Sequence, residues 1–268
     1  MTFAVISLRT AENLDAQIDQ LVDLCLRAYD QADTSIRALV GGDVSLLGDF
    51  FRATLRAGAL GGASIYIATE ATDTLIRGMA LWWGPGVEAF STAEQQRELQ
   101  AFVSKLSDAA QQWHRTVYRP DFANLTEILL GSRGKLDSWY LNLLAVDPEH
   151  QRLGVARALI DAANHSELTL AATSELNVSI YRRLGFRVRG SMRMAGQVGD
   201  WSQQWREDSR DRRGQAALEA THSGGLKAQG LSDDSDAMLS LGSHAMETEQ
   251  QEFPVYVLSW SETDGVAA

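Results

Sequence analysis

The sequence contains a single cysteine, Cys25, in 268 residues. One thiol cannot form an internal disulfide, and the helical apolar pattern around Cys25 predicts a buried structural thiol. No apolar run approaches the ~20 residues that span a bilayer, so no membrane partner is expected. The first residues have neither a basic start nor a small-residue cleavage site. A secretory signal is therefore not expected, and a cytoplasmic location is predicted.

Basic residues are outnumbered, with 24 Lys and Arg against 35 Asp and Glu, and the net charge is −11. Such a chain repels nucleic acid, so no nucleic-acid partner is predicted. The five histidines show no metal-ligand spacing, so no metal is expected. Among them, His150 is interpreted as a solvated turn residue.

Large apolar side chains are missing from one long segment. Residues 209–252 contain no Val, Ile, Phe, Tyr or Trp. Such a stretch cannot bury enough apolar area to offset its ordering entropy. The sequence therefore predicts one domain over residues 1–197, an acidic insertion of low order at 198–252, and the last strand of the same domain at 253–262. The acidity is concentrated in this insertion, because residues 200–252 contain 11 acidic and five basic side chains.

Hydrophobic periodicity predicts the elements before the centre of the chain. A strand at 4–8 is followed by helices over 14–28 and 46–55, and then by a hairpin of strands at 64–69 and 74–83. Between Pro85 and Pro120, apolar residues at helical intervals predict an extra helix or helix pair. A packing insertion and a lid over an acceptor site are both compatible with this pattern.

A strand-loop-helix motif occupies the centre of the chain. The β-prone run 139–146 ends at the turn pair Asp147-Pro148, and a loop containing Gln151, Gly154 and Ala156 precedes a helical pattern. The first N–H groups of a helix lack partners and its dipole is positive there, so a phosphate is the natural ligand of this loop.

A second motif follows one strand later. Asn177 precedes Tyr181 by four residues in a predicted helix, and Leu184-Gly185-Phe186 comes directly after that helix. The two motifs, in this order, resemble the acetyl-CoA-binding core of the GNAT-type N-acetyltransferases. The resemblance covers about 60 residues.

The resemblance implies an α/β fold: a GNAT-like mixed central sheet with flanking helices, here with an extra helical insertion and a long insertion before the last strand. It also implies an enzyme that transfers the acetyl group of acetyl-CoA, the donor substrate, to an amine by direct attack in a ternary complex. Transfer of a longer acyl group and a non-catalytic acyl-CoA-binding module remain alternatives.

The resemblance further assigns roles to residues. Backbone groups of the loop would hold the pyrophosphate of the donor, and main-chain groups of the preceding strand would pair with its pantetheine arm. Asn177 would bond to the arm, and Tyr181 would protonate the leaving sulfur. The loop residues are Gln151, Arg152, Leu153, Gly154, Val155 and Ala156, and the strand residues are Leu144, Ala145 and Val146.

The general base stays open at this stage. Asn142 stands at a strand position where some members of the family carry a carboxylate. Proton removal through water, or by Asp137, Tyr140 or Glu88, is therefore compatible with the sequence.

Overall fold

The computed structural model describes residues 3–8, 13–29, 33–70, 75–163, 166–196 and 252–261. Within these ranges the chain forms seven strands and eight α-helices. The strands are β1 (Phe3–Ser7), β2 (Ala63–Glu70), β3 (Ile76–Trp83), β4 (Trp139–Val146), β5 (Glu167–Ala172), β6 (Arg187–Ala195) and β7 (Glu252–Ser261). The helices are α1 (Leu14–Ala28), α2 (Thr34–Leu39), α3 (Leu47–Leu60), α4 (Ala93–Val103), α5 (Asp108–Trp113), α6 (Arg119–Leu130), α7 (Val155–Ala163) and α8 (Glu175–Arg183).

The strands form one mixed sheet in the order β1-β2-β3-β4-β5-β7-β6. Every neighbouring pair is antiparallel except β4 and β5, which run parallel. The mixed sheet with flanking helices confirms the predicted α/β fold class. The parallel pair is joined through α7, as parallel neighbours require a crossover connection.

The parallel pair separates soon after it forms. Residues 139–141 of β4 pair with residues 168–170 of β5, and the register ends there. On its other side, β4 stays paired with β3 as far as Val146. The second half of β4 therefore has one paired edge and one edge that faces a gap in the sheet.

A β-bulge lies at the point of separation. Leu141 pairs with Trp82 and Leu143 with Leu81, so Asn142 is an extra residue in β4. A bulge bends its strand and redirects the side chain it carries. The Asn142 Oδ1 accepts a hydrogen bond of 3.2 Å from the indole N–H of Trp83, which fixes this side chain on the face covered by α1 and α3.

Helices cover both faces of the sheet. α1 and α3 pack on one face through buried aliphatic and aromatic side chains, and α7 packs on the other with α8 beside it. Cys25 is fully buried in α1, as predicted, and burial raises the pKa of its thiol to about 12. A thiol held protonated in this way is inert as a nucleophile.

The extra helix or helix pair predicted between Pro85 and Pro120 is present as α4 and α5. A π-helical turn at His114–Tyr118 follows, and it leads into α6, which the sequence pattern did not predict. Gln95 anchors this insertion to the rest of the fold. Its backbone and side chain complete a capping box with Thr92 at the start of α4. The buried side-chain amide also donates to the carbonyls of Ala57, at 3.2 Å, and Gly61, at 2.9 Å, so α4 is tied to the end of α3.

β7 lies between β5 and β6 and completes the same sheet. It is the final strand that the sequence predicts. The predicted insertion lies outside the described residues except for Glu252, which begins β7. The domain boundaries at 197 and 252 therefore stay a prediction. No helix within the described ranges is both long and apolar enough to cross a membrane.

Candidate active site

The free edge of β4 presents backbone groups that no neighbouring strand pairs. The Asp147 N–H donates a hydrogen bond of 2.9 Å to the carbonyl of Arg77 in β3. Because hydrogen-bonding residues alternate along an antiparallel ladder, Ala145 and Leu143 also point toward β3. The N–H and C=O groups of Leu144 and Val146 consequently face the gap. This is the edge to which an extended ligand can add as a strand.

The predicted phosphate loop lies between β4 and the start of α7. Residues 151–154 are exposed, and Val155, the first residue of α7, is buried. Arg152 has φ 63° and Gly154 has φ 93°, so both adopt the left-handed region. This conformation turns successive N–H groups toward one side, as in anion-binding nests. A Cβ on Gly154 would meet no atom within 4 Å and would point into open space.

Charged and polar side chains surround the start of this loop. His150 lies among them, so the interpretation of His150 as a solvated turn residue is wrong. The His150 ring is mostly buried, with Nε2 3.2 Å from Glu70 Oε1 and Nδ1 3.6 Å from Asp147 Oδ1. Arg27 bonds the same Asp147 at 3.0 Å. Burial opposes ionisation of Asp147, but hydrogen bonds from Arg27 and the Glu149 N–H, with the His150 ring nearby, outweigh it and lower its pKa.

Helix α8 carries the two polar residues of the second motif. Ser174 caps the helix by accepting from the Asn177 N–H at 3.2 Å, and the Asn177 side chain is exposed. Tyr181, one turn later, packs on the same hydrophobic cluster as Leu144 and Val146. The structure thus places Tyr181 in the same cluster as the free half of β4. Burial raises the pKa of Tyr181 above its ordinary value, so the phenol stays protonated.

Tyr29, which follows α1, also reaches this edge, and neither sequence motif indicates it. Burial raises the pKa of Tyr29 well above its ordinary value. The backbone N–H of Leu144 acts in the opposite direction, because it favours the phenolate. Tyr29 and Tyr181 therefore approach the same stretch of β4 from different helices.

A cavity of about 810 Å³ opens on the face of the sheet that carries Asn142. The insertion lines one side of it, so α4, the π-helical turn and α6 do more than lengthen the domain. Asn142, Trp83 and Tyr140 contribute from the sheet. The aromatic side chains of the lining are Phe50, Trp83, Phe90, Phe102, Tyr118, Phe122 and Tyr140. Its volume lies in the range of small-molecule sites.

Phe90 adopts a strained backbone at the cavity. Its φ is 58°, which is rare for a bulky residue, and its carbonyl accepts a hydrogen bond from the Gln96 side chain. Strained residues of this kind persist where the surrounding structure determines them, and they cluster at ligand sites. Phe90 thus supports the cavity as a binding site.

The structure distinguishes among the three side chains that the sequence leaves open as the general base. Asp137 is exposed and bound by Arg133 at 3.1 Å, and it is absent from the cavity lining. Burial raises the pKa of Tyr140, so this phenol is a poor base. Glu88 lines the cavity and is exposed to solvent.

His114 is a further candidate that sequence analysis missed. It is 8% exposed, lines the cavity, and has Nε2 2.8 Å from the carbonyl of Leu39. Burial lowers the pKa of His114, while the Leu39 carbonyl acts against this. A carbonyl only accepts, so the neutral ring carries its proton on Nε2 and leaves a lone pair on Nδ1. His114 belongs to neither motif, and no spacing rule connects it with them.

The lowered pKa of His114 predicts a pH dependence of stability. The unfolded chain keeps a histidine pKa near 6.5 and therefore binds protons before the folded chain does. As the pH falls from about 7 through 6.5 toward the folded pKa, the free energy of unfolding should decrease. Denaturant unfolding of His114→Gln should show a shallower decrease over this window. Equal slopes of the unfolding free energy against pH in the two proteins would contradict the lowered pKa of His114. The difference in unfolding free energy at pH 8 measures the effect of the substitution on packing and serves as the control.

The described residues bring most of the predicted site together. Leu144, Ala145 and Val146 lie on β4, and Tyr181 lies on α8. Of the predicted loop residues, Gln151, Arg152, Leu153 and Gly154 connect β4 to α7, and Val155 and Ala156 begin that helix. Arg157 of α7 ties this helix to α8 by donating to the carbonyl of Arg183 at 2.8 Å. Within the described ranges, no group of three His, Cys, Asp or Glu residues is placed to hold a metal ion.

A family model described as "Acetyltransferase (GNAT) domain" matches residues 121–188. This segment runs from α6 to the beginning of β6 and contains both motifs. The match confirms the resemblance seen in the sequence. The segment is thus similar to a GNAT-type acetyltransferase domain, and this match supports an N-acyltransferase. None of the curated proteins matches the chain in sequence.

Several solved structures have a similar fold. One is a histone acetyltransferase HPA2 and related acetyltransferase from Corynebacterium glutamicum, with 20% identity, TM-score 0.48, and coverage of 72% of this chain and 88% of that chain. A polyamine N-acetyltransferase of Drosophila melanogaster has 11% identity, TM-score 0.49, and coverage of 97% and 100%. The ribosomal-protein-S18-alanine N-acetyltransferase of Escherichia coli has 10% identity, TM-score 0.41, and coverage of 97% and 94%. At these values none of the three identifies a substrate.

Proposed function

We propose that this protein transfers the acetyl group of acetyl-CoA to an amine by direct attack in a ternary complex. The observation that carries the proposal is the free edge of β4. Its main-chain groups at Leu144 and Val146, which no neighbouring strand pairs, lie between the phosphate loop at one end and a cavity at the other. An extended thioester and an amine can therefore approach the same strand from two sides.

The donor would bind along this edge. The pyrophosphate would lie at the left-handed turn around Gly154, where the N-terminus of α7 and the loop N–H groups favour negative charge. The pantetheine arm would pair with Leu144 and Val146 as an added strand. Asn177, exposed at the first turn of α8, would bond to the arm.

The chemical step requires stabilisation of an oxyanion and protonation of a leaving group. The amine nitrogen would attack the thioester carbonyl, and the Leu144 N–H would donate to the oxyanion that forms. When the carbon–sulfur bond breaks, the Tyr181 hydroxyl would give its proton to the departing thiolate. The desolvation that raises the pKa of Tyr181 would also raise that of the thiol formed beside it, so both pKa values would shift in the same direction.

The amine must lose a proton before or during attack. Two cavity-lining groups can accept it: the Glu88 carboxylate and the Nδ1 of neutral His114. The nitrogen loses a second proton as the amide forms, and this proton would restore the Tyr181 hydroxyl. The products are then an N-acetyl amide, free CoA thiol and one proton on the base. We propose that the reaction takes place in the cytoplasm, a reducing compartment with which the free, buried Cys25 is compatible.

A thiol-release assay tests the proposal. Acetyl-CoA is mixed with the protein and a panel of aryl amines, amino acids, polyamines and peptides, and free thiol is measured against a reaction without amine. We expect amine-dependent release with at least one acceptor. Release of thiol only with longer acyl-CoA donors would show that the transferred group is a longer acyl chain and not acetyl. Binding of acetyl-CoA without release for any amine or donor would instead show a non-catalytic module.

A further inference from the structure

The cavity that faces Asn142 has a charge balance unlike that of the whole chain. The protein carries −11, yet the cavity lining contains Arg119, Arg133 and Lys135 against Glu88 and Glu127. Asp137, outside the lining, bonds Arg133. With Arg133 paired outside the lining, the other two cations balance the two carboxylates. The cavity therefore does not share the acidity of the whole chain and offers a polycationic acceptor no net attraction.

Lys135 is the cation that enters this cavity most deeply. It is half-buried, and its Nζ lies 4.5 Å from the ring centroid of Tyr140 and 5.5 Å from that of Phe122. Tyr140 is two residues from Asn142 at the bulge. Lys135 is thus held near the part of β4 where the amine would react.

Lys135 has no carboxylate oxygen within 4.0 Å among the described residues. Glu88 exerts a favourable charge effect on it without forming an ion pair, and burial lowers the pKa of Lys135. Contact with two aromatic faces replaces only part of the hydration that an ammonium loses on burial. A ligand that brought a carboxylate to this position would replace the missing partner.

We propose that the acceptor is an amine with an apolar body that also carries a carboxylate, as in an aromatic amino acid, and that Lys135 binds this carboxylate. The inference rests on the proposed function, because it assigns the acceptor of the same reaction. The seven aromatic side chains of the lining would contact the apolar body. Its ammonium, directed toward Asn142, would lose its proton to Glu88 or His114 before attack.

Matched acceptors test the proposal directly. Phenylalanine and phenethylamine differ only in the carboxylate, and spermidine represents a polycation without one. We expect kcat/KM for phenylalanine to exceed that for phenethylamine by at least about 10-fold, with spermidine the poorest. Lys135→Met should lower the value for phenylalanine by about 10–100-fold, mainly through KM, and leave that for phenethylamine within about 3-fold.

Charge and packing are separated by two further variants. Lys135→Arg should keep the preference for phenylalanine, because it retains the cation, and Lys105→Met removes a lysine outside the cavity lining and should change neither acceptor. An equal loss for both acceptors in Lys135→Met, or a wild-type preference for phenethylamine, would overturn the proposal.

Direct binding distinguishes failure of this inference from failure of the proposed function. Calorimetric titration with phenylalanine and with phenethylamine, in the presence of CoA, does not require turnover. Tighter binding of phenylalanine that is lost in Lys135→Met would uphold the acceptor class even if no thiol were released. Absence of phenylalanine binding to the wild-type protein would reject it, whatever the thiol assay shows.

Discussion

Tyr181→Phe should lower kcat by about 10²–10⁴-fold and leave the affinity for acetyl-CoA nearly unchanged, because a general acid acts in the transition state. The phenol lies beside the free edge of β4, and burial keeps it protonated. Losing only its hydroxyl preserves the ring contact with Phe186, whose centroid is 5.7 Å away. Steady-state kinetics with a responsive amine give kcat, and calorimetric titration gives the affinity.

The matched control is Tyr66→Phe. Tyr66 is also half-buried, but it lies on β2, two strands away from β4. This variant should keep kcat within a few fold. Near-normal turnover in Tyr181→Phe would reject the general-acid role. It would leave the transferase proposal standing, because water can protonate a good leaving group.

Gly154→Glu should weaken acetyl-CoA binding by at least about 100-fold. The new side chain would extend into the open space in front of the loop, where the pyrophosphate is expected, and like charges in contact cost several kcal/mol. The left-handed φ of 93° adds a backbone strain of about 1–2 kcal/mol, so the fold must be verified by circular dichroism and thermal unfolding.

Gly86→Glu and Gly154→Ala separate charge from strain. Gly86 also has a positive φ, 74°, with open space at its Cβ, and it lies outside the loop. Gly86→Glu should therefore retain affinity. Gly154→Ala introduces the backbone strain without the carboxylate and should lose much less affinity than Gly154→Glu. Unchanged affinity in a folded Gly154→Glu protein would remove the loop from the site.

The donor side of the site could be predicted because its chemistry depends on local sequence. A strand end, a glycine with a left-handed backbone and a helix start follow one another within residues 139–163, and the phosphate loop needs nothing else. The second motif likewise lies on one helix and its C-terminal turn. The order of elements then fixed the mixed sheet, since the crossover through α7 makes β4 and β5 parallel.

The acceptor side could not be predicted, because it is assembled from distant parts of the chain. Phe50, His114 and Lys135 line one cavity but belong to α3, a π-helical turn and a loop. Helical periodicity predicted that the insertion would be helical, and it did not specify which side chains would face the sheet. His150 was misread for a similar reason: its partner Glu70 lies on β2, 80 residues earlier in the chain.

The parallel pairing of β4 with β5 is much shorter than the antiparallel pairing of β2 with β3. Three residue pairs join β1–β4 to β5–β7, whereas the antiparallel neighbours β2 and β3 share seven. The two parts of the sheet are consequently linked most weakly where the donor would bind. A pantetheine arm paired with β4 on one side and held by Asn177 of α8 on the other would supply contacts that the chain itself leaves out. Donor binding would then make the two parts of the sheet unfold more cooperatively, as well as place the thioester.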